Sequence, residues 1–250
     1  GLSLPGLTEQ ESLLLMLARK HLEHLLPASL LASMEGFFDQ ARRNLERTQP
    51  GEAPRPESQW LKKVRVVGTT VPMLPPHIAP GVFEELSSAI FKDQWLEITY
   101  RNAKDEIKDK KIMPLGIAQQ GQRLFVPCLF HGYTDVRNIA VHRIIQARNT
   151  DQPFERPKNF DLEAYDGSGR FGYGKGEEIE IRLWIHDYLK LLLEETPLSD
   201  DQTIVAAPDG TGWELTATVI DSMLLVWWLR SQGRGVRVLG PADLIARFSM

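Results

Sequence analysis

Short apolar strand candidates recur between residues 95 and 146, and this rhythm limits the possible folds of the chain more than any other feature. The four candidates cover 95–101, 108–118, 122–130 and 136–146, and turns rich in Gly, Asn, Asp or Lys bound them. Short strands repeated about every 8–12 residues with turn signals between them are typical of a barrel or sandwich rather than a parallel sheet. We therefore predict a small β-barrel here.

Positive charge is concentrated in the same region. The 250 residues carry a net charge of −4, but residues 92–148 hold 10 Lys and Arg against 6 Asp and Glu. Residues 149–250 hold 10 against 17, so the acidic balance lies outside the predicted barrel. A local positive field in an acidic protein attracts a specific anion and disfavours indiscriminate binding elsewhere.

Two helices are predicted in residues 1–48. Thr8 followed by Glu11 has the spacing of a capping box, and leucines at helical spacing continue until Pro27, which can begin a second helix. Both helices have wide apolar faces, so we expect a linker and dimerisation segment that packs on another subunit or on the next domain. A local hairpin that completes the core of a monomer is the alternative.

The next segment contains a proline-rich connection over 48–58 and then a predicted strand over Trp60–Val67. A short helix is predicted from Pro80 to Phe91. With the strands that follow, residues 59–150 form one predicted domain.

The C-terminal part has a different rhythm. After an irregular linker over 151–177, residues 178–250 predict a strand, a helix, a hairpin, a helix and a strand, with a short helix at the end. The order βαββαβ is that of a ferredoxin-like domain, in which two helices cover one face of an antiparallel sheet. The predicted fold class is therefore α+β.

Several functional classes are disfavoured by the sequence. Gly167–Gly172 fits G-x-G-x-x-G, but a strand follows it instead of the helix that dinucleotide binding requires, so we interpret it as an interdomain loop. His21 and His24 lack the i, i+4 spacing of zinc proteases, and we find no nucleophile elbow. We expect no enzyme, no cofactor and no metal site.

The location of the protein is also constrained. The longest apolar runs, such as Met223–Leu229, stop well short of the roughly 20 residues that span a bilayer. Cys128 is the only cysteine, which fits a reducing cytoplasm. Because the chain begins with Gly rather than Met, we expect either a residue left by cloning or an excised fragment of a longer protein.

A ligand-binding surface is predicted on the barrel strands. Arginines and a histidine can bind phosphate, while two aromatic rings can stack on bases. The candidates are Tyr100, Arg101, Arg123, Phe125, Arg137, His142 and Arg143. Strand alternation would place Arg137 and Arg143 on one side of their strand, with His142 opposite unless the strand bulges.

The alternative interpretation of these cations is an ordinary barrel surface. The acidic residues that could pair with them are Asp93, Glu97, Asp105 and Asp135.

The order of these elements resembles the WYL-domain family of bacterial transcriptional regulators. The resemblance rests on Ile98-x-Tyr100-Arg101, Pro114–Ile117, Arg137 and His142–Ile144. It covers nearly the whole chain, because the first helices look like the family's linker and the βαββαβ tail looks like its WCX extension. The Trp-Tyr-Leu that names the family would fall on Leu124–Val126, where all three residues differ, and Phe125 cannot donate a hydrogen bond.

The resemblance implies an Sm/SH3-like barrel that binds a regulatory ligand, either single-stranded DNA or a nucleotide, within a homodimer. Such regulators usually begin with a winged helix-turn-helix, for which residues 1–45 are too short and too rich in leucine. We therefore expect contact with promoter DNA only through a domain outside this chain, controlled allosterically. An oligomerisation or protein-interaction module with no nucleic-acid ligand is the alternative.

Overall fold

A computed structural model describes residues 6–47 and 55–249. The chain divides into two units, Gly1–Lys158 and Asn159–Met250. Most of the predicted connection over 48–58 lies outside the described residues. The predicted domain boundaries stay predictions.

The first unit begins with the two expected helices, α1 (Glu9–Leu22) and α2 (Ala28–Glu46). The capping box is confirmed, because the Glu11 N–H donates to Thr8 Oγ1 over 3.2 Å and the Thr8 N–H donates to Glu11 Oε2 over 2.8 Å. Pro27 immediately precedes α2, as predicted. The two helices pack on each other, and the Ala28 N–H donates to Ser87 in the domain that follows.

The predicted strand over 60–67 is wrong. Residues Pro56–Lys63 form helix α3, whose first residue is a proline in a favourable position. Residues 64–79 contain no helix or strand, and the side chains of Val66 and Val67 are 79% and 77% exposed. A strand requires a neighbour for its backbone hydrogen bonds, and none of the described strands pairs with this segment.

A curled antiparallel sheet follows, as the strand rhythm predicted. Its elements are α4 (Val82–Lys92), β1 (Gln94–Arg101), β2 (Ile107–Pro114), β3 (Ala118–Gln120), β4 (Arg123–Phe130), β5 (Arg137–Ala140) and β6 (Ile144–Pro153). The strand order is β3-β4-β2-β1-β6, and β5 pairs with β4. Leu86 of α4 is buried with Leu96, Ile112 and Val126 of the strands, so the helix covers the apolar side of the sheet. The assignment to the Sm/SH3-like barrels stays a prediction.

Two predicted strands are each divided in the structure. The candidate over 108–118 ends as β2 at Pro114, and the short β3 begins at Ala118. The candidate over 136–146 is interrupted by a 3-10 turn over Val141–Arg143. The interruption has a physical cause, because β5 pairs with β4 whereas β6 pairs with β1, and the chain must turn to change partners.

The second unit holds a four-stranded antiparallel sheet. Its elements are α5 (Leu162–Gly167), β7 (Glu178–Ile185), α6 (Asp187–Glu195), β8 (Thr203–Ala206), β9 (Trp213–Ile220), α7 (Met223–Ser231), β10 (Val236–Gly240) and α8 (Ala242–Ser249). The sheet order is β10-β7-β9-β8, and the elements from β7 to β10 follow the predicted order. Leu183, Leu189, Leu215 and Leu229 contribute to a core shared by the strands and helices. The ferredoxin-like assignment stays a prediction.

The glycine-rich segment is more ordered than the expected loop. It contains the end of α5 and a 3-10 turn over Arg170–Gly172. Gly172 lies so close to α7 that a Cβ atom would be 2.8 Å from Cβ of Leu224. Its glycines therefore permit close packing within the second unit.

Candidate anion-binding site

Arg123, His142 and Arg143 come together where β4 approaches the 3-10 turn. Phe125 of β4 is paired with Ala140 of β5 in an antiparallel register. His142 lies two residues beyond Ala140, in the 3-10 turn that follows β5 and contacts β4. Arg143 follows in the turn, and both guanidinium groups lie near enough to the imidazole to lower its pKa.

The surroundings of the His142 ring favour its neutral form. Burial lowers its pKa below the ordinary value of 6.5, and the positive charges of Arg143 and Arg123 lower it further. Its Nδ1 atom is buried and has no hydrogen-bond partner among the described residues. Nε2 is therefore the atom through which the ring can meet a ligand.

The two arginines of this cluster lack carboxylate partners. Within the described residues, neither Arg123 nor Arg143 lies within 4.0 Å of an acidic side chain. No carboxylate in the described part of the chain balances their positive charge, and we name Arg123, His142 and Arg143 the turn cluster.

Two other predicted cations are paired instead. Arg101 lies 3.1 Å from Asp105, and Nε of Arg137 lies 2.6 Å from Asp135. Asp135 also raises the pKa of Arg137 by accepting its hydrogen bond. Arg101 and Arg137 therefore have two of the acidic partners that the alternative interpretation named, Asp105 and Asp135, and the assignment of the seven residues to a ligand site stays a prediction.

The predicted placement of Arg137 and Arg143 on one side of a single strand is wrong. Val141–Arg143 form the 3-10 turn, which ends the strand alternation at Ala140. Arg137 is instead paired across the ladder with Cys128, near the other end of β5. The structure thus does not bring the seven predicted residues together at one place.

A cleft of about 230 Å³ contains Tyr100 and Arg137. Its other lining residues are Asn102, Glu106, Lys108, Lys110, Phe130 and Tyr133. The Arg137 guanidinium lies 5.4 Å from the ring centre of Tyr133 and 5.9 Å from that of Phe130. The cleft therefore has both aromatic and cationic walls.

Lys108 and Lys110 are residues of this cleft that the sequence interpretation missed. The register places Lys108 opposite Tyr100 and Lys110 opposite Ile98, so both lysines share a side with the predicted tyrosine. Their i, i+2 spacing within a strand candidate was the available signal. Lys108 is paired with Glu106 over 2.9 Å, so its charge is partly balanced.

Tyr100 and Phe125 have partly structural surroundings. The Tyr100 hydroxyl accepts a hydrogen bond of 3.3 Å from the Ala140 N–H, and its ring packs against the buried core. Phe125 is half-buried, and strand alternation puts it on the same side of β4 as Arg123. Both rings are thus near the turn, since Phe125 pairs with Ala140 before it and Tyr100 pairs with Ile144 after it.

A larger depression of about 850 Å³ lies between the start of α4 and strands β1, β2 and β6. It contains none of the seven predicted residues. Its polar side chains bond each other, as in the 2.7 Å hydrogen bond from Thr99 to Asp109 and the ion pair of Arg148 with Glu97. Charged residues of both signs line this depression, among them Lys110, Lys111, Glu84 and Glu85.

Residues 6–47 and 55–249 contain no group of three or more His, Cys, Asp or Glu side chains that could hold a metal ion. In the same ranges, no helix combines the length and the apolar character needed to cross a membrane.

Two protein-family models match this chain. Residues 81–149 match the model of the WYL domain, and residues 177–249 match that of the WCX domain. The two segments together cover more than half of the chain. The chain therefore belongs to the WYL-domain family, and its WYL domain, which contains the turn cluster, is followed by a WCX domain.

Solved structures give more distant similarities. One is proteasome accessory factor B/C (PafBC) of Arthrobacter aurescens, with 20% identity, a TM-score of 0.35 and 74% of this chain covered. Another is a CRISPR Cas-related protein, with 12% identity, a TM-score of 0.45 and 67% of this chain covered. The match spans only 28% of the first protein and 49% of the second. No curated protein sequence matches significantly.

Proposed function

We propose that this protein is the effector-sensing portion of a bacterial transcriptional regulator, and that its turn cluster binds single-stranded DNA or a nucleotide. The observation that carries the proposal is the pair of guanidinium groups, on Arg123 and Arg143, without acidic partners in the described chain. Membership of the WYL-domain family supports a regulatory role.

The chemistry of the cluster suits phosphate. Guanidinium groups donate two parallel hydrogen bonds to phosphate oxygens, and such charge-assisted bonds are about twice as strong as neutral ones. Arginines already paired with carboxylates, such as Arg101 with Asp105, must first give up that partner. Phe125 on the same side of β4 adds a ring on which a base can stack.

The wider proposal concerns assembly. In it, the curled sheet is an Sm/SH3-like barrel and the second unit is a ferredoxin-like WCX domain. The protein acts in the cytoplasm as a homodimer without catalytic activity, and reaches promoter DNA through a domain outside this chain. Ligand on the barrel would then change the dimer arrangement, and thereby affinity for the promoter.

Titration of labelled single-stranded oligonucleotides and mononucleotides, followed by fluorescence anisotropy, tests the binding step. We expect Arg123→Ala and Arg143→Ala to weaken binding and to reduce the slope of log K against log salt by about 0.7 for each phosphate that the variant no longer neutralises. Arg101→Ala is the matched control, because that arginine lies on the same sheet and is paired with Asp105. Binding that is insensitive to salt, or equal in both turn variants and the control, would reject the site.

A second candidate function is a protein-interaction module with no nucleic-acid ligand. It is favoured by the exposed apolar side chains of the irregular segment 64–79, which are Val66, Val67, Val71, Met73 and Leu74. Exposed apolar clusters are typical of interaction surfaces. Under this alternative, no oligonucleotide or nucleotide would raise the melting temperature, since only a ligand that binds the folded state stabilises it.

A further inference from the structure

The turn cluster has a definite charge, and that charge restricts the kind of phosphate it fits. This inference rests on the proposed function and narrows its ligand. Arg123 and Arg143 each contribute one permanent positive charge that no carboxylate of the described residues balances. His142 contributes a hydrogen-bond donor, and its buried Nδ1 has no acceptor among the described residues, which disfavours the charged form of the ring. The cluster therefore offers two positive charges and three donor groups.

Phosphate groups within a nucleic-acid strand and at its end differ in their charge and in their number of free oxygens. A phosphodiester carries one negative charge and has two oxygens free of ester bonds. A terminal phosphate monoester carries a charge of about −1.5 to −2 near neutral pH and has three strongly accepting oxygens. The monoester therefore matches the two permanent positive charges of the turn cluster more closely than a diester does, and it offers one more free oxygen to the donors of the cluster.

The place of the cluster also suits the end of a ligand. Arg123 is the first residue of β4, while His142 and Arg143 belong to the turn that leaves β5. Phe125, two residues along β4, is the nearest predicted aromatic ring on the Arg123 side of the strand. Two residues of strand span about 6.6 Å, a suitable reach between a phosphate and the base of the same nucleotide.

We infer that Arg123, His142 and Arg143 recognise the terminal phosphate monoester of a single-stranded nucleic acid or nucleotide, with the adjoining base against Phe125. Internal phosphodiesters would follow along the neighbouring surface without occupying the cluster. The protein would therefore distinguish a phosphorylated strand end from the same strand ending in a hydroxyl group.

Oligonucleotides of one sequence test the inference when they carry a 5′-phosphate, a 3′-phosphate or hydroxyl groups at both ends. We expect one phosphorylated form to bind roughly tenfold more tightly than the hydroxyl form, because each charge-assisted bond gained is strong. Arg123→Ala and Arg143→Ala should abolish this preference, whereas Arg101→Ala should keep it. The two phosphorylated forms show which end is recognised.

Acid gives a second readout that depends on the ligand. The second pKa of a phosphate monoester is about 6, so lowering the pH from 7.5 to 5 removes most of its second charge. The preference should therefore fall in acid, and it is measured in His142→Gln as well, because His142 can itself gain a proton as the pH drops. A diester has no such titration, and its binding serves as the reference at each pH.

The possible results distinguish a failure of this inference from a failure of the proposed function. Equal affinity for all three oligonucleotides, with weaker binding by Arg123→Ala, would overturn the recognition of strand ends and leave the proposed site intact. A preference for phosphorylated ends that survives in both turn variants would also overturn the inference. Failure of every oligonucleotide and mononucleotide to bind would reject both proposals.

Discussion

Gly212 lies directly against the indole ring of Trp184. A Cβ atom at position 212 would be 2.7 Å from two ring carbons and 2.8 Å from the carbonyl oxygen of Ile185. On β10, the guanidinium of Arg237 lies 4.2 Å from the Trp184 ring centre. The ring is thus held between neighbours, and a side chain at position 212 has no space.

Even the smallest side chain at position 212 should therefore be costly. Gly212→Ala should lower the free energy of unfolding by about 1–3 kcal/mol, because the ring and the backbone must move to admit a methyl group. Gly36→Ala, in the exposed interior of α2 with no atom within 4 Å of the added carbon, should instead stabilise the protein by roughly 0.5–1 kcal/mol. Urea unfolding of both variants measures the difference, and equal effects would contradict it.

Loss of the capping box at α1 should be measurable. Thr8→Ala removes the oxygen that accepts from the Glu11 N–H, and should destabilise the helical segment by about 1 kcal/mol. Thr8→Ser keeps an acceptor at the same place and should retain most of the stability. Thermal unfolding followed by circular dichroism compares the two, and indistinguishable melting temperatures would argue against the cap.

The Cys128 thiol should be unreactive in the folded protein. Burial raises its pKa to about 12, an effect that the charge of Arg137 opposes only in part. Since the thiolate is the reactive form, a thiol-specific reagent at pH 8 should modify Cys128 only after denaturation. A variant carrying Ser29→Cys, at an exposed position, should react with one equivalent at once. Rapid reaction of the native protein would contradict the buried position.

His142 should make the protein less stable in acid. Between its lowered pKa in the folded state and the ordinary value of 6.5, the unfolded chain binds more protons at this residue. The free energy of unfolding therefore falls as the pH drops through that window and is unaffected by this residue at higher pH.

Melting temperatures of the unliganded protein between pH 5 and 7.5 measure this effect. His142→Gln should show a smaller loss of stability in acid than the natural protein, because glutamine does not titrate. His21→Gln, at an exposed position of α1, should leave the profile unchanged. Parallel profiles for all three proteins would show that His142 is not responsible.

Local patterns in the sequence predicted much of the fold. The alternation of Leu96, Ile98 and Tyr100 with polar residues indicated β1, and the spacing of Thr8 and Glu11 indicated the start of α1. The element order of the second unit was also readable, because each helix and strand there has its own periodicity.

Contacts between distant parts of the chain could not be predicted from these local patterns. The strand signature of Val64–Val67 was misleading, since a strand depends on a partner elsewhere that local propensity cannot supply. The turn at Val141–Arg143 arises because the chain exchanges one neighbouring strand for another. For the site, the residue types were predicted, but which arginines are neutralised by Asp105 and Asp135 required the folded geometry.

At Val141–Arg143 the chain leaves one partner strand and joins another, and this change places the turn cluster between two strand ladders. Arg123 belongs to the ladder of β3 and β4, where it pairs with Gln120, whereas Arg143 directly precedes β6, the strand that pairs with β1. An anion bound by both arginines would link these two ladders through hydrogen bonds to the two guanidinium groups. Ligand binding at the turn cluster would then restrict the motion of both strands. A sensor of this kind needs no lid or hinge that closes over its ligand.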